Sequence, residues 1–190
     1  MKEVVVMRVI SGYLKGRKLE GYMVETTRPT MDRVKESMFA SIQNDIEESV
    51  VLDLFCGTGS LGIEAISMSA SKCYFVDNNK NIINYLNKNI DNLNIKDKSI
   101  IVQKNYKEAL LYFKNNNIKF NIILVDAPYK LKVMEEVINL VNKYDLILDK
   151  GLLVLEYSFD KLDEEYNNLK LIKSKKYSEK IVSIYRKVID

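Results

Sequence analysis

From Ser49 onward the chain alternates short apolar runs with stretches of helical length, and that rhythm constrains the fold more than any other feature. The runs are 50–55 (VVLDLF), 72–77 (KCYFVD), 99–103 (SIIVQ), 120–126 (FNIILVD) and 151–157 (GLLVLEY). Between them lie 60–70, 79–93, 106–116 and 130–145, whose length or apolar spacing suits helices. A strand that is apolar at nearly every position is covered on both faces, and a helix between two strands makes a parallel crossover. The expectation is an α/β fold with a parallel sheet between two helical layers. The rhythm breaks at 169–187 (LKLIKSKKYSEKIVSIYRK), where two strands flank a polar turn with no room for a helix, so the sheet should end in an antiparallel hairpin.

Ahead of this block, residues 4–10 and 17–24 read as two strands joined by the loop Ser11–Gly16, a hairpin-like arm. Thr30 is a plausible N-cap for a helix whose apolar positions Met31, Val34, Met38, Ile42 and Ile46 recur at spacings of three and four. Residues 1–48 are expected to form this arm and lead-in helix as part of the same compact unit as the main block, 49–190. At 190 residues the chain has no room for a separate substrate domain of useful size.

The composition excludes whole chemistries. There is no His, so neither a Ser-His-Asp nor a Cys-His site can exist, and the usual His-containing metal sites go with them. No metal is expected. Cys56 and Cys73 have neither metal-site spacing nor the density of a disulfide scaffold, which suggests a reducing compartment, with the cytoplasm as default. No apolar run approaches the ~18 residues of a membrane span. The formal charge of +3 resides in residues 1–40, which carry eight Lys/Arg against five Asp/Glu, while the remaining 150 balance. Four of the five arginines (Arg8, Arg17, Arg28 and Arg33) fall in the first 33 positions. Arg grips phosphate in bidentate fashion, so with Lys15 and Lys18 this cluster is a candidate RNA or DNA contact, the alternative being a solvated basic hairpin.

The segment Val51-Leu-Asp53-Leu-Phe55-Cys-Gly57-Thr58-Gly59-Ser60-Leu-Gly62 runs a buried strand into a Gly-rich turn and a helix. It contains GxGxxG, which in a dehydrogenase lets backbone approach a pyrophosphate, with an acidic residue ending the next strand to bind ribose, here Asp77. Asp53 separates the alternatives. A carboxylate beside the loop would repel a pyrophosphate and suits a cationic ligand such as S-adenosylmethionine, which carries an ammonium and a sulfonium. A helix N-cap is the other reading of Asp77, with Asn78 and Asn79 as rivals.

The fourth run ends in Asp126-Ala127-Pro128-Tyr129. Asp53, Asp77 and Asp126 all belong to carboxyl ends of strands, where open α/β sheets bind ligands. An aniline-like NH2 must be held so that its lone pair points at the methyl group. The Asp126 carboxylate and the Ala127 carbonyl can each accept one N–H while Tyr129 stacks on the base.

These segments resemble known families. Asp-x-Phe-x-Gly-x-Gly resembles motif I of class I methyltransferases, and Asp126–Tyr129 resembles the Asp/Asn-Pro-Pro-Tyr/Phe signature of those that modify exocyclic or amide nitrogens, departing from it at Ala127. That resemblance implies Asp77 on the ribose hydroxyls, Asn105 and Tyr106 at the adenine, and a cofactor set completed by Asp53, Phe55, Gly57, Thr58, Gly59, Ser60 and Asn78. Together with RVISGYLKGRKL (8–19) and RPTMDRVKESMF (28–39), the motifs look like the RsmD family of bacterial 16S ribosomal RNA guanine-N2 methyltransferases. The resemblance implies a Rossmann-like class I fold with a seven-stranded, mostly parallel sheet. It further implies methylation of one guanine and a substrate presented within an assembled or assembling small ribosomal subunit. A nitrogen methyltransferase of DNA adenine or of protein glutamine remains a close rival. A dinucleotide-dependent oxidoreductase and a catalytically silent RNA-binding module are rivals of a different class.

Overall fold

The computed structural model describes residues 7–21, 28–158 and 161–189; the side chains of residues 28–31 and of Tyr129 lie outside that description. Five strands, β3 (Val50–Asp53), β4 (Lys72–Asp77), β5 (Ser99–Gln103), β6 (Phe120–Val125) and β7 (Ile147–Tyr157), pair in parallel in the order β5-β4-β3-β6-β7. The apolar runs predicted these strands, and β7 starts earlier than expected because Ile147 pairs with Phe120 ahead of a register shift. Beyond β7 lie β10 (Lys180–Lys187) and β9 (Leu169–Tyr177), each antiparallel to its neighbours, as the polar turn predicted. An eighth strand, β8 (Glu165–Tyr166), pairs with the start of β9. The expectation of seven strands missed it because two residues carry no periodic signal.

Side chains alternate across the sheet and feed two cores. Val51, Phe75, Ile122 and Val154 pack against α1 (Arg28–Ile46), α2 (Ser60–Ser67) and α3 (Lys80–Leu93). Leu52, Val76, Ile123 and Leu155 pack against α4 (Tyr106–Asn115) and α5 (Met134–Lys143). Helix α1 is described from Arg28, and Thr30 lies inside it rather than capping it. Pro29 is tolerated there because a first-turn residue has no intrahelical acceptor for an N–H. Among the described residues, no helix is long and apolar enough to cross a membrane.

Among the described residues the N-terminal arm pairs β1 (Met7–Arg8) with β2 (Lys18–Leu19), and Val9 continues the pairing by donating to the Arg17 carbonyl and accepting from Gly16 N; residues 4–6 and 22–24 of the expected strands lie outside the described ones. The described part of the arm does not project. Its loop lies on the end of α2, where Tyr13 N donates to the Ser67 carbonyl and Leu14 N to the Ser67 hydroxyl. Gly12 has φ +75° and a Cβ there would sit 1.9 Å from the Ser67 carbonyl oxygen, so only glycine permits the approach. Glu64, on the buried face of α2, accepts the amides of Ile10 and Ser11 and pairs with the Lys35 ammonium at 3.1 Å.

Candidate active site

The strand order reverses between β3 and β6, and a cavity of about 800 Å³ opens there beyond the carboxyl ends of the strands. Asp53 ends β3, Asp77 ends β4, Asp126 follows β6 and Glu156 lies near the end of β7, and all four line the cavity. Phe55, Gly57, Thr58, Ser60, Asn78, Asn105, Tyr106, Ala127 and Pro128 line it too, so the structure gathers nearly the whole expected cofactor and catalytic set. Gly59 is not a lining residue. It holds the turn into α2 at φ +93°, and a Cβ there would meet Leu86 Cδ1 at 2.5 Å.

The glycine loop is already furnished with carboxylates. Gly62 N donates to Asp53 Oδ2 at 2.8 Å and Gly57 N to Asp77 Oδ2 at 3.1 Å. Two amides that a pyrophosphate would recruit are therefore taken, and the local charge is negative. This disfavours a dinucleotide and suits a cationic ligand. Asp53 is 1% exposed, and its other oxygen, Oδ1, has no partner among the described residues. Loss of hydration pushes its carboxyl up to about 7, with Asp77 adding to the rise and the Gly62 amide opposing it.

Asp77 is not a helix cap. Its Oδ1 accepts from Asn79 N, and Asn79 caps α3 by accepting from the amides of Asn81 and Ile82. Asn105 caps α4 through Glu108 N, which leaves its side-chain NH2 for a ligand. Tyr106 stacks against Phe55 with ring centroids 5.3 Å apart, and its hydroxyl donates to Glu136.

Asp126 is half-buried and has no hydrogen bond or ion pair among the described residues. Loss of hydration and then the Glu156 carboxylate push it up to about 8, against the pull of the Lys180 ammonium. Lys180 and Glu156 form an ion pair that the sequence reading missed. Ala127 is buried in the second core and Pro128 is extended at φ −54°, ψ 125°. The Tyr129 side chain lies outside the described residues.

Of the six basic residues expected to meet nucleic acid, the five whose side chains are described are not brought together. Arg8 lines the cavity and pairs with Asp32 at 3.2 Å. Arg17 donates to the Asn92 carbonyl at the far end of α3, and Lys15 sits in the loop on Ser67, roughly 12 Å down α2 from the cavity. Lys18 and Arg33 are exposed, and the Arg28 side chain lies outside the described residues. Lys35 also lines the cavity, tying the Arg8 carbonyl to the Ser60 hydroxyl, so the arm and the cofactor loop share a buried lysine.

Comparison with known proteins agrees with this geometry. Residues 7–186 match the family described as Conserved hypothetical protein 95. Ribosomal RNA small subunit methyltransferase D of Haemophilus influenzae is 33% identical over 169 residues, 89% of this chain and 88% of its own. Its Escherichia coli K12 namesake is 30% identical over 150 residues, 79% and 74% of the two chains. The solved structure of Escherichia coli yhhF, named as a candidate methyltransferase, superposes with a TM-score of 0.84 at 27% identity over 98% of this chain and 100% of its own. With the family matched over nearly its whole length and its motifs assembled at one cavity, the chain belongs to the RsmD family of methyltransferases.

Proposed function

We propose that this chain is an S-adenosylmethionine-dependent methyltransferase acting on the exocyclic N2 amine of a guanine in 16S ribosomal RNA, within an assembled or assembling small subunit. One observation carries the reading most of the way: among the described residues a single cavity holds an unpartnered oxygen of Asp53 and the unpaired carboxylate of Asp126, behind a loop whose amides are taken by Asp53 and Asp77. Such a site suits a cation at one end and N–H donors at the other. The small-subunit RNA named for the relatives supports the substrate.

When bound, S-adenosylmethionine supplies the electrophilic methyl group. Asp53 would neutralise the methionine ammonium, and Asp77, whose oxygens each keep a free lone pair, would accept from the ribose hydroxyls. Phe55, Asn105 and Tyr106 would flank the adenine. A guanine stacked in a helix cannot reach the site, so it must be splayed out, with Tyr129 as its stacking partner. Asp126 and the Ala127 carbonyl then orient the amine, and Asp126 takes the proton that nitrogen sheds. Only the ionised carboxylate can do so. The raised Asp126 pKa therefore makes transfer faster as pH rises toward about 8, and Lys180 holds the ionised form within reach of neutral pH.

Mass mapping of 16S ribosomal RNA from cells with and without the protein tests the proposal. One guanine should lose a single methyl group in its absence. Identical methylation in the two RNAs would contradict the reading.

A further inference from the structure

Averaging over the chain hides its most basic segment. Residues 169–187, the strands β9 and β10 and their turn, carry seven Lys/Arg against the single acid Glu179. Four of the seven are held by carboxylates: Lys170 by Glu165, Lys180 by Glu156, Arg186 by Asp45 and Lys187 by Asp145. The other three, Lys173, Lys175 and Lys176, are exposed and have no ion pair among the described residues. Lys173 donates to the Ser41 hydroxyl, and Lys175 lies over the Tyr177 ring at 5.0 Å.

Register places this charge beside the cavity. Ile181 pairs with Tyr157, the last residue of β7, so the turn after Tyr177 projects beyond the carboxyl ends of the parallel strands, the side that carries Asp53 and Asp126. Lys175 pairs with Val182, which pairs with the cavity residue Glu156. With strands about 4.8 Å apart, Lys175 is roughly 10 Å across the sheet from the cavity wall. The chain of contacts from α1, Asp45 to Arg186, Ser41 to Lys173 and Ser37 to Tyr177, climbs one turn at a time toward the tip. The next turn brings exposed Arg33 to the same end.

We infer that the tip of the β9–β10 hairpin, through Lys175 on the α1 face with Arg33 beside it and Lys176 on the opposite face of the same edge strand, is the surface that grips the RNA phosphates flanking the target nucleotide. This rests on the reading of the chain as an RNA methyltransferase. The expected arm contacts Lys15 and Arg17 sit at the other end of α2 and α3, away from the cavity. Lysines on an edge strand also prevent edge-to-edge association, and that role alone would leave RNA binding unchanged on their removal.

The test uses full-length protein and small subunits from cells lacking it, with binding measured across a salt series. Removing two phosphate contacts, in Lys175→Ala with Lys176→Ala, should flatten the log–log salt slope by roughly 1.4–1.8 and weaken binding roughly 10- to 30-fold at about 0.15 M salt. Lys175→Arg with Lys176→Arg should restore it, S-adenosylmethionine affinity by calorimetry should not move, and Lys15→Ala should be close to wild type. A double Ala variant that binds subunits with the wild-type slope overturns the inference, including one that merely aggregates more. So does a variant whose cofactor affinity falls in step with its RNA affinity. If wild type methylates no RNA from those subunits, the functional reading fails and the inference with it.

Discussion

Two carboxylates buried in and around α2 meet opposite fates. Glu64, under the N-terminal arm, is 0% exposed and accepts from Ile10 N, Ser11 N and the Lys35 ammonium. Asp53, at the floor of the cavity, is 1% exposed and has one amide on one oxygen and nothing on the other among the described residues. A buried charge is tolerated when its lone pairs are filled by the fold, and Glu64 is such a case. Asp53 is held at a cost that the fold does not offset internally, and its carboxyl rises to about 7. On the proposed function, the difference separates a group that builds structure from a group that waits for a ligand.

The comparison breaks most visibly at Glu64. Glu64→Ala removes the counter-charge of the buried Lys35 ammonium and the acceptor of two backbone amides, so stability should fall by about 3–5 kcal/mol, read by denaturant unfolding. A loss below about 1 kcal/mol would show the arm to be loosely docked.

Asp53→Asn should do the opposite. A carboxyl near 7 in the fold and near its ordinary 3.8 in the unfolded chain contributes stability that is full below the unfolded value and is lost as pH rises through 7. Without cofactor, the Asn variant should therefore exceed wild type by roughly 1–3 kcal/mol at pH 8 and converge with it at acid pH. Its affinity for S-adenosylmethionine should fall. An offset in melting temperature that is the same at both pH values would remove the contrast with Glu64.

Asp77 stands between the two, with both oxygens engaged by amides at the cavity edge. Asp77→Ala should weaken cofactor binding by about 1–3 kcal/mol in calorimetry with little change in subunit binding. Unchanged cofactor affinity would make it a loop-shaping residue like Glu64.

The sequence showed the cavity more clearly than the dock. Strands β3, β4 and β6 are short apolar runs that lead into Asp53, Asp77 and Asp126, so the strand ends and the proposed chemistry are written in the same few residues. Glu64 sits in SLGIEAIS, where nothing distinguishes a buried glutamate from the solvated face of an ordinary helix. The pair Glu156–Lys180 depends on β10 lying antiparallel against β7, a neighbour relation that periodicity does not carry. The basic hairpin tip escaped notice because acids elsewhere in residues 41–190 cancel it in the average, whereas the fold sets it beside the cavity. The arginine cluster was visible, but a linear reading could not tell that Arg17 would cap the end of α3.

If Asp126 handles the target amine while Asp53 and Asp77 hold the cofactor, single-turnover methyl transfer to small subunits by Asp126→Ala is the measurement that shows it. The account predicts a rate lower by ~10²-fold or more, since an orienting acceptor and the destination of the proton are both removed, with cofactor and subunit affinities close to wild type. Methyl transfer by Asp126→Ala at the wild-type rate would contradict it and leave Asp126–Tyr129 as a structural turn.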